Sequence, residues 1–163
     1  MRRLTKIISG GQTGVDQAAL RAARDCGLAI GGWCPPGRVC EGGVIPAEFP
    51  LEETDQERSL GAPDVPRSQR TECNIRDSDG ALVIRAGKIP EDRGTQWAMR
   101  CAERFGRPLL VCDLEDQNSQ QKIEEWLRRH EVKVLSVGGP AESTSPGIGD
   151  RAYALLRAVF EDL

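Results

Sequence analysis

The sequence has one histidine, His130, and none of its six cysteines forms a Cys-x-x-Cys pair. A zinc cluster of familiar spacing is therefore missing. So is a Ser/His/Asp set, because His130 falls at a predicted helix end among charged residues, where a solvated role fits it best. A basic excess is also lacking. Lys and Arg number 22 against 25 Asp and Glu, a net charge of −3, which argues against nucleic-acid binding. No apolar run approaches the roughly 20 residues that span a bilayer. The basic start Met1-Arg2-Arg3 leads into no signal-peptide core. The expectation is a cytoplasmic chain with neither membrane nor nucleic acid as partner. Two loop signatures are absent as well, the Walker A Gly-Lys-Ser/Thr and the Gly-x-Gly-x-x-Gly dinucleotide fingerprint.

What is present is an alternation of short apolar runs and helical stripes. The 163 residues, 39% apolar and 29% charged, suit one domain over 1–163. Strands are expected at 6–9, 29–32, 81–84, 109–113 and 133–137, unbroken enough to lie in a parallel sheet covered on both faces. Val15, Ala18, Ala19, Ala22, Ala23 and Cys26 form a stripe of small side chains on a helix that can approach the sheet closely. Trp97, Ala98, Cys101, Ala102 and Phe105 make a second stripe. Ile123, Trp126 and Leu127 make a third, and Ala152, Leu155, Leu156, Val159 and Phe160 a fourth. The fold class is α/β: a Rossmann-like three-layer α/β/α domain with a mainly parallel sheet of about five or more strands. Ligands of such sheets collect at the carboxyl ends of the strands. The segment 33–66, with prolines at 35, 36, 46, 50, 63 and 66, breaks the rhythm and reads as one long loop, either a lid or a subunit contact. Cys26, Cys101 and Cys112 read as core residues. Cys34 and Cys40 flank a Pro/Gly loop, where a reduced thiol near a ligand is the alternative to a structural role.

Four strand ends carry the chemistry. The first runs into Ser9-Gly10-Gly11-Gln12-Thr13-Gly14-Val15-Asp16 and opens a helix. Glycines let backbone approach a ligand, and N–H groups at a helix N-terminus favour an anion. The plainer reading is a tight turn with Thr13 and Asp16 as a capping box. Gly11 is expected to lie against the anion. The second strand leads to Trp33, which could stack on a planar ring, and Arg38, which could clamp a phosphate. A Trp at the core edge and a solvated Arg are the alternative. Arg70 precedes the third strand, and Arg85 and the helix-opening Gly94-Thr95 follow it. Gly139, Glu142 and Ser143 follow the fifth, in a loop whose Ser143, Thr144 and Ser145 can donate to an anion or merely satisfy loop backbone and cap the helix. Asp79-Gly80 reads as a turn into the third strand.

Together these segments resemble the molybdenum cofactor carrier family, a Rossmann-like branch related to the LOG phosphoribohydrolases. The resemblance rests on Gly10-Gly11-Gln12-Thr13-Gly14-Val15-Asp16, Gly31-Gly32-Trp33-Cys34-Pro35 with Gly37-Arg38, Ile45-Pro46, Pro50-Leu51, Arg70-Thr71 with Asn74, Asp77-Ser78-Asp79-Gly80, and Gly139-Pro140 with Glu142-Ser143 and Pro146-Gly147-Ile148. It implies a homo-oligomer that binds rather than converts an anionic pterin, the molybdenum cofactor (molybdopterin), with molybdoenzymes or cofactor-insertion proteins as partners. The chain departs from the family at Arg93-Gly94-Thr95, where Gly-Gly-Thr is usual, at Pro36, often Lys, and at Ala141, often Arg. LOG enzymes place a glutamate where Ala98 stands, and alanine can neither move a proton nor stabilise a cationic sugar. The leading reading is thus a non-catalytic carrier of a phosphorylated anion. The alternatives are a nucleotide sensor and a nucleotide N-glycosidic hydrolase using Glu142, Asp16 or Asp79.

Overall fold

In the computed structural model, which describes residues 3–88 and 92–163, five parallel strands form the central sheet. Met1 and Arg2 of the basic start lie outside the described residues. The strands are β1 (Lys6–Ile8), β2 (Ala29–Gly31), β7 (Gly80–Arg85), β8 (Leu109–Asp113) and β9 (Val134–Gly138), in spatial order β2-β1-β9-β7-β8. All four neighbouring pairs run parallel, with Ile7 opposite Ile30 and Leu135, and Val83 opposite Val111 and Gly138. Counted from β9 instead of β1, the order becomes 3-2-1-4-5, the first five strands of the usual doubly wound order. The point where that order reverses lies between β9 and β7.

Five helices cover the sheet: α1 (Val15–Asp25), α2 (Ser68–Arg76), α3 (Arg93–Phe105), α4 (Ser119–Arg129) and α5 (Ile148–Asp162). β7 sorts the core, because its side chains alternate between layers. Leu82 and Ile84 pack with α1, α4 and α5, while Ala81 and Val83 face α2 and α3. The alanine stripe of α1 is wholly buried, as small side chains at close approach require. Leu156, Val159 and Phe160 of α5 pack in that same layer, each contributing roughly 1.5–3 kcal/mol by burial. On the opposite face the Trp97 indole N–H donates to the Ser68 carbonyl at 2.9 Å and ties α3 to α2.

Helix α2 is absent from the expectations drawn above. Its stretch is rich in polar residues, Ser68-Gln69-Arg70-Thr71-Glu72, and only Cys73 and Ile75 supply buried apolar contact. The segment before it is ordered rather than a plain loop. β3 (Trp33–Cys34) pairs with β6 (Glu52–Glu53), and β4 (Val39–Cys40) with β5 (Gly43–Val44). Cys34, Cys40, Ile45, Phe49 and Leu51 bury a small core of their own against Leu20. Burial pushes the Cys34 thiol up, so this cysteine is an inert packing residue and not a reactive thiol.

The expected capping box at α1 does not form. Gly14 is the N-cap, with φ 79°, and no side chain caps the helix. The Thr13 hydroxyl turns away to the Glu41 carboxylate and accepts from the Glu142 N–H at 3.1 Å. Gly14 is required by packing as well as by φ: a Cβ there would stand 2.4 Å from the Pro140 carbonyl.

Candidate functional site

A cavity of about 340 Å³ runs from the carboxyl ends of β1 and β9 along the α2/α3 side of β7, at the reversal point of the sheet. That volume falls within the roughly 300–1,000 Å³ of small-molecule sites. Its floor is Ala81 and Val83 of β7 with Ala98 of α3, a flat apolar wall. Gly10 and Gly138-Gly139 form the end where two strands terminate. A side chain at Gly139 would meet the Ile84 carbonyl at 2.3 Å, so close strand packing keeps that corner bare.

Three arginines line the cavity, Arg67, Arg70 and Arg93. Among the described residues Asp92 is the one acidic residue in the lining, and it is engaged: Thr95 N–H donates to Oδ1 at 3.1 Å and the Thr95 hydroxyl to Oδ2 at 2.6 Å. This N-cap fixes the start of α3, so the expectation of a helix opening at Gly94-Thr95 holds in the structure. The side chains of Arg67 and Arg93 form no hydrogen bond or ion pair among the described residues.

Arg70 is held from below. Its Nη1 lies 3.2 Å from Oδ2 of Asp16, a carboxylate with no solvent exposure. Burial pushes the Asp16 carboxyl up from its ordinary value; the Arg70 charge and the Gln12 N–H, 3.3 Å away, oppose that shift. Asp16 Oδ1 and Arg70 Nε are buried without hydrogen-bond partners. The pair is thus only partly satisfied, and spare donor capacity remains on the arginine at the cavity wall.

Of the residues expected to bind an anion, Gly10, Arg70, Gly94, Thr95 and Gly139 line this cavity. The others are placed elsewhere. Gly11, with φ 79°, turns its missing Cβ toward Leu51 at 2.6 Å and Ile45 at 2.9 Å, so it serves loop packing rather than an anion. Gln12 donates its side-chain amide to the Val39 carbonyl at 3.0 Å, and Thr13 and Gly14 make the contacts described above. The Arg38 guanidinium donates to the carbonyls of Leu51, Pro46 and Phe49 at 2.9–3.2 Å, organising the 33–51 segment; it is not a clamp in the cavity. Trp33 lines a separate hollow of about 300 Å³ with Lys6, Gly31, Gly32 and Asp77. Its indole N–H donates to Asp77 at 2.8 Å, and the Arg76 guanidinium sits 5.8 Å from its ring. Arg85 ends β7 opposite Asp113, with its Nε buried and unpartnered. Ser143 donates both N–H and hydroxyl to Glu41.

The acids weighed for hydrolysis are engaged in structure. Glu142 accepts from Gly147 N–H at 2.6 Å and Gly149 N–H at 3.0 Å, capping α5 from a distance. Asp79 accepts from Val134 N–H at 2.9 Å at the start of β9, the end of the sheet away from the cavity. Asp16 lies beneath Arg70. Two cavity cations, Arg67 and Arg93, stand outside the expected set. Arg67 was legible only through α2, whose polar sequence hid the helix that begins beside it.

Residues 7–160 match the circularly permutated YpsA SLOG family. The permutation is visible in the strand order, which becomes regular when counting starts at β9. A crystal structure from Syntrophus aciditrophicus, of a protein named as a proposed molybdenum carrier, superposes with a TM-score of 0.85 at 37% identity. The alignment covers 97% of this chain and 95% of that one. A search of curated proteins returned no match. Among the described residues no helix is long and apolar enough to cross a membrane. With the match running through all five strands of the central sheet, the chain belongs to the circularly permutated YpsA family of the SLOG group.

Proposed function

We propose that this protein binds and carries, without converting, a phosphorylated anionic small molecule with a flat ring system, a pterin of the molybdenum cofactor type. The observation that carries the reading is the charge arrangement of the cavity: among the described residues its lining holds three arginines, two of them with unpaired side chains, and one acidic residue already bonded to a threonine. Such a site is short of negative charge, and a phosphate supplies it through charge-assisted hydrogen bonds. The Arg70 Nε, buried without a partner, fits the same demand. Ala81, Val83 and Ala98 offer the apolar wall on which a planar ring lies, and Gly10 and Gly139 leave backbone within reach of it. The Syntrophus aciditrophicus protein is named as a molybdenum carrier, which supports a molybdenum-bearing ligand over other phosphorylated rings. The absence of a carboxylate at position 98 supports carriage over cleavage.

A second reading, a nucleotide sensor, is favoured by the location of the cavity, since doubly wound sheets hold nucleotides where their strand order reverses. Native mass spectrometry of protein purified from a host that makes the cofactor separates the two. The expected result is an added mass matching a phosphorylated pterin, lost in Arg70→Gln. Retention of an adenine nucleotide with no pterin overturns the carrier reading in favour of the sensor. Release of free base from nucleoside monophosphates, scaling with protein concentration, overturns both.

A further inference from the structure

Arg67 lines the cavity, and its backbone conformation is costly. It is the N-cap of α2, with φ 58° and ψ 28°, in the left-handed region that glycine tolerates and arginine does not favour. Its N–H is pinned by the Glu57 carboxylate at 2.8 Å, and the Gln69 N–H bonds the Glu57 carbonyl at 3.4 Å. The loop thus holds the arginine in place from its backbone side. The residue lines the cavity, and its side chain has no hydrogen-bond or ion-pair partner among the described residues. Packing alone does not account for this choice of residue. Glycine would satisfy the turn without strain, and the neighbouring contacts come from the backbone N–H.

We propose that Arg67 is an anion-binding and affinity-determining residue of the cavity, its guanidinium delivered to the phosphate of a phosphomonoester by a strained left-handed turn that Glu57 locks. Strain retained at a binding site is expected where the side chain is needed and the backbone has no easier way to present it. This inference rests on the anion-binding reading of the cavity and names the residue that reading would otherwise overlook. The charge of Arg67 also acts, as a minor influence, to lower the carboxyls of buried Asp16 and of Glu41.

The test measures the affinity of the full chain for adenosine monophosphate and inorganic phosphate by calorimetry, alongside its Tm. Arg67→Gly is expected to keep or raise Tm while weakening adenosine monophosphate binding roughly tenfold or more, the loss of one charge-assisted bond. Arg67→Gln is expected to lose the same affinity with the strain kept, and Arg67→Lys to restore part of it. A residue that merely shapes the turn would instead leave affinity unchanged in the glycine variant. Wild-type affinity in both the glycine and glutamine variants, with Arg70→Gln and Arg93→Gln still defective, overturns the role of Arg67 and spares the cavity. If wild type binds neither probe at millimolar concentration, the anion reading fails along with it.

Discussion

The Arg70 guanidinium rests 3.2 Å above the Asp16 carboxylate, and the carboxylate has no exposure to solvent. Asp16 orients the arginine from the first turn of α1, while the arginine keeps a buried carboxyl from reverting wholly to its neutral form. Taking away one member leaves the other in a place it does not suit.

Arg70→Met makes stability pH-dependent in a defined direction. The Asp16 carboxyl is raised above its ordinary 3.8 by burial, and Arg70 is the largest force opposing that rise. A raised folded-state pKa means stability is fully present below the unfolded value and is lost as pH climbs through the folded one. Without Arg70 the folded value moves higher still, so the window extends upward. Urea titrations at pH 5 and pH 8 should show the gap between wild type and Arg70→Met widening at pH 8. A gap that does not change with pH contradicts the pairing.

Adjacent glycines should separate binding from stability. A Cβ on Gly10 would stand 2.5 Å from Arg70 Cδ and 2.6 Å from its Nη1, so Gly10→Ala displaces a flexible cavity side chain. It should weaken adenosine monophosphate binding while leaving Tm within a few degrees. Gly11→Ala meets Leu51 and Ile45 in a left-handed backbone and should cost about 1–3 kcal/mol in denaturant titration. Its effect on affinity should be the smaller of the two. Reversal of this pattern would move the anion to the Gly11 side of the loop.

Glu41 joins three loops through one carboxylate, accepting from the hydroxyls of Thr13 and Ser143 and from the Ser143 N–H. Those bonds hold its carboxyl down to about 2 against an ordinary 4.5. A lowered folded-state value contributes stability that is present above the unfolded pKa and lost as pH falls through the folded one. The difference in Tm between wild type and Glu41→Gln should therefore shrink as pH drops from 5 toward 2. A constant difference across that range would show that the charge on Glu41 is irrelevant to the hairpin anchor.

Glu142→Ala distinguishes a cap from a catalytic acid. Removing the acceptor for Gly147 and Gly149 should destabilise the protein by about 1–2 kcal/mol, the usual cost of a lost helix cap. Binding of adenosine monophosphate should remain near wild type. A stable variant that had lost ligand binding would return Glu142 to the site.

Much of the layout was readable because it depends on local periodicity. The strands at 6–8, 29–31 and 109–113 are short, largely apolar runs, and the α1 alanine stripe repeats at helical spacing. The start of α3 followed from Gly94-Thr95, whose cap comes from the adjacent Asp92. Helix α2 escaped notice because all of its first five side chains are charged or amide- or hydroxyl-bearing, and its burial comes from α3 and the sheet. Trp33 and Arg38 have the chemistry of ligand contacts, yet Asp77 and a set of loop carbonyls claim their donors. Residue type signals capacity for a bond and leaves the partner open.

By itself the amino-acid order determined the alternation of strand and helix, the glycine turns after the strands, and the family to which those turns point. Those features arise from contacts a few residues apart and from backbone preferences written into each residue. Only the tertiary structure decided that β9 sits between β1 and β7, and therefore that Gly10, Gly139 and the starts of α2 and α3 surround one cavity. It also decided which arginines face that cavity. Parallel pairing joins strands that are distant in the chain through backbone bonds common to every residue, so the choice of neighbour depends on how whole faces fill the core.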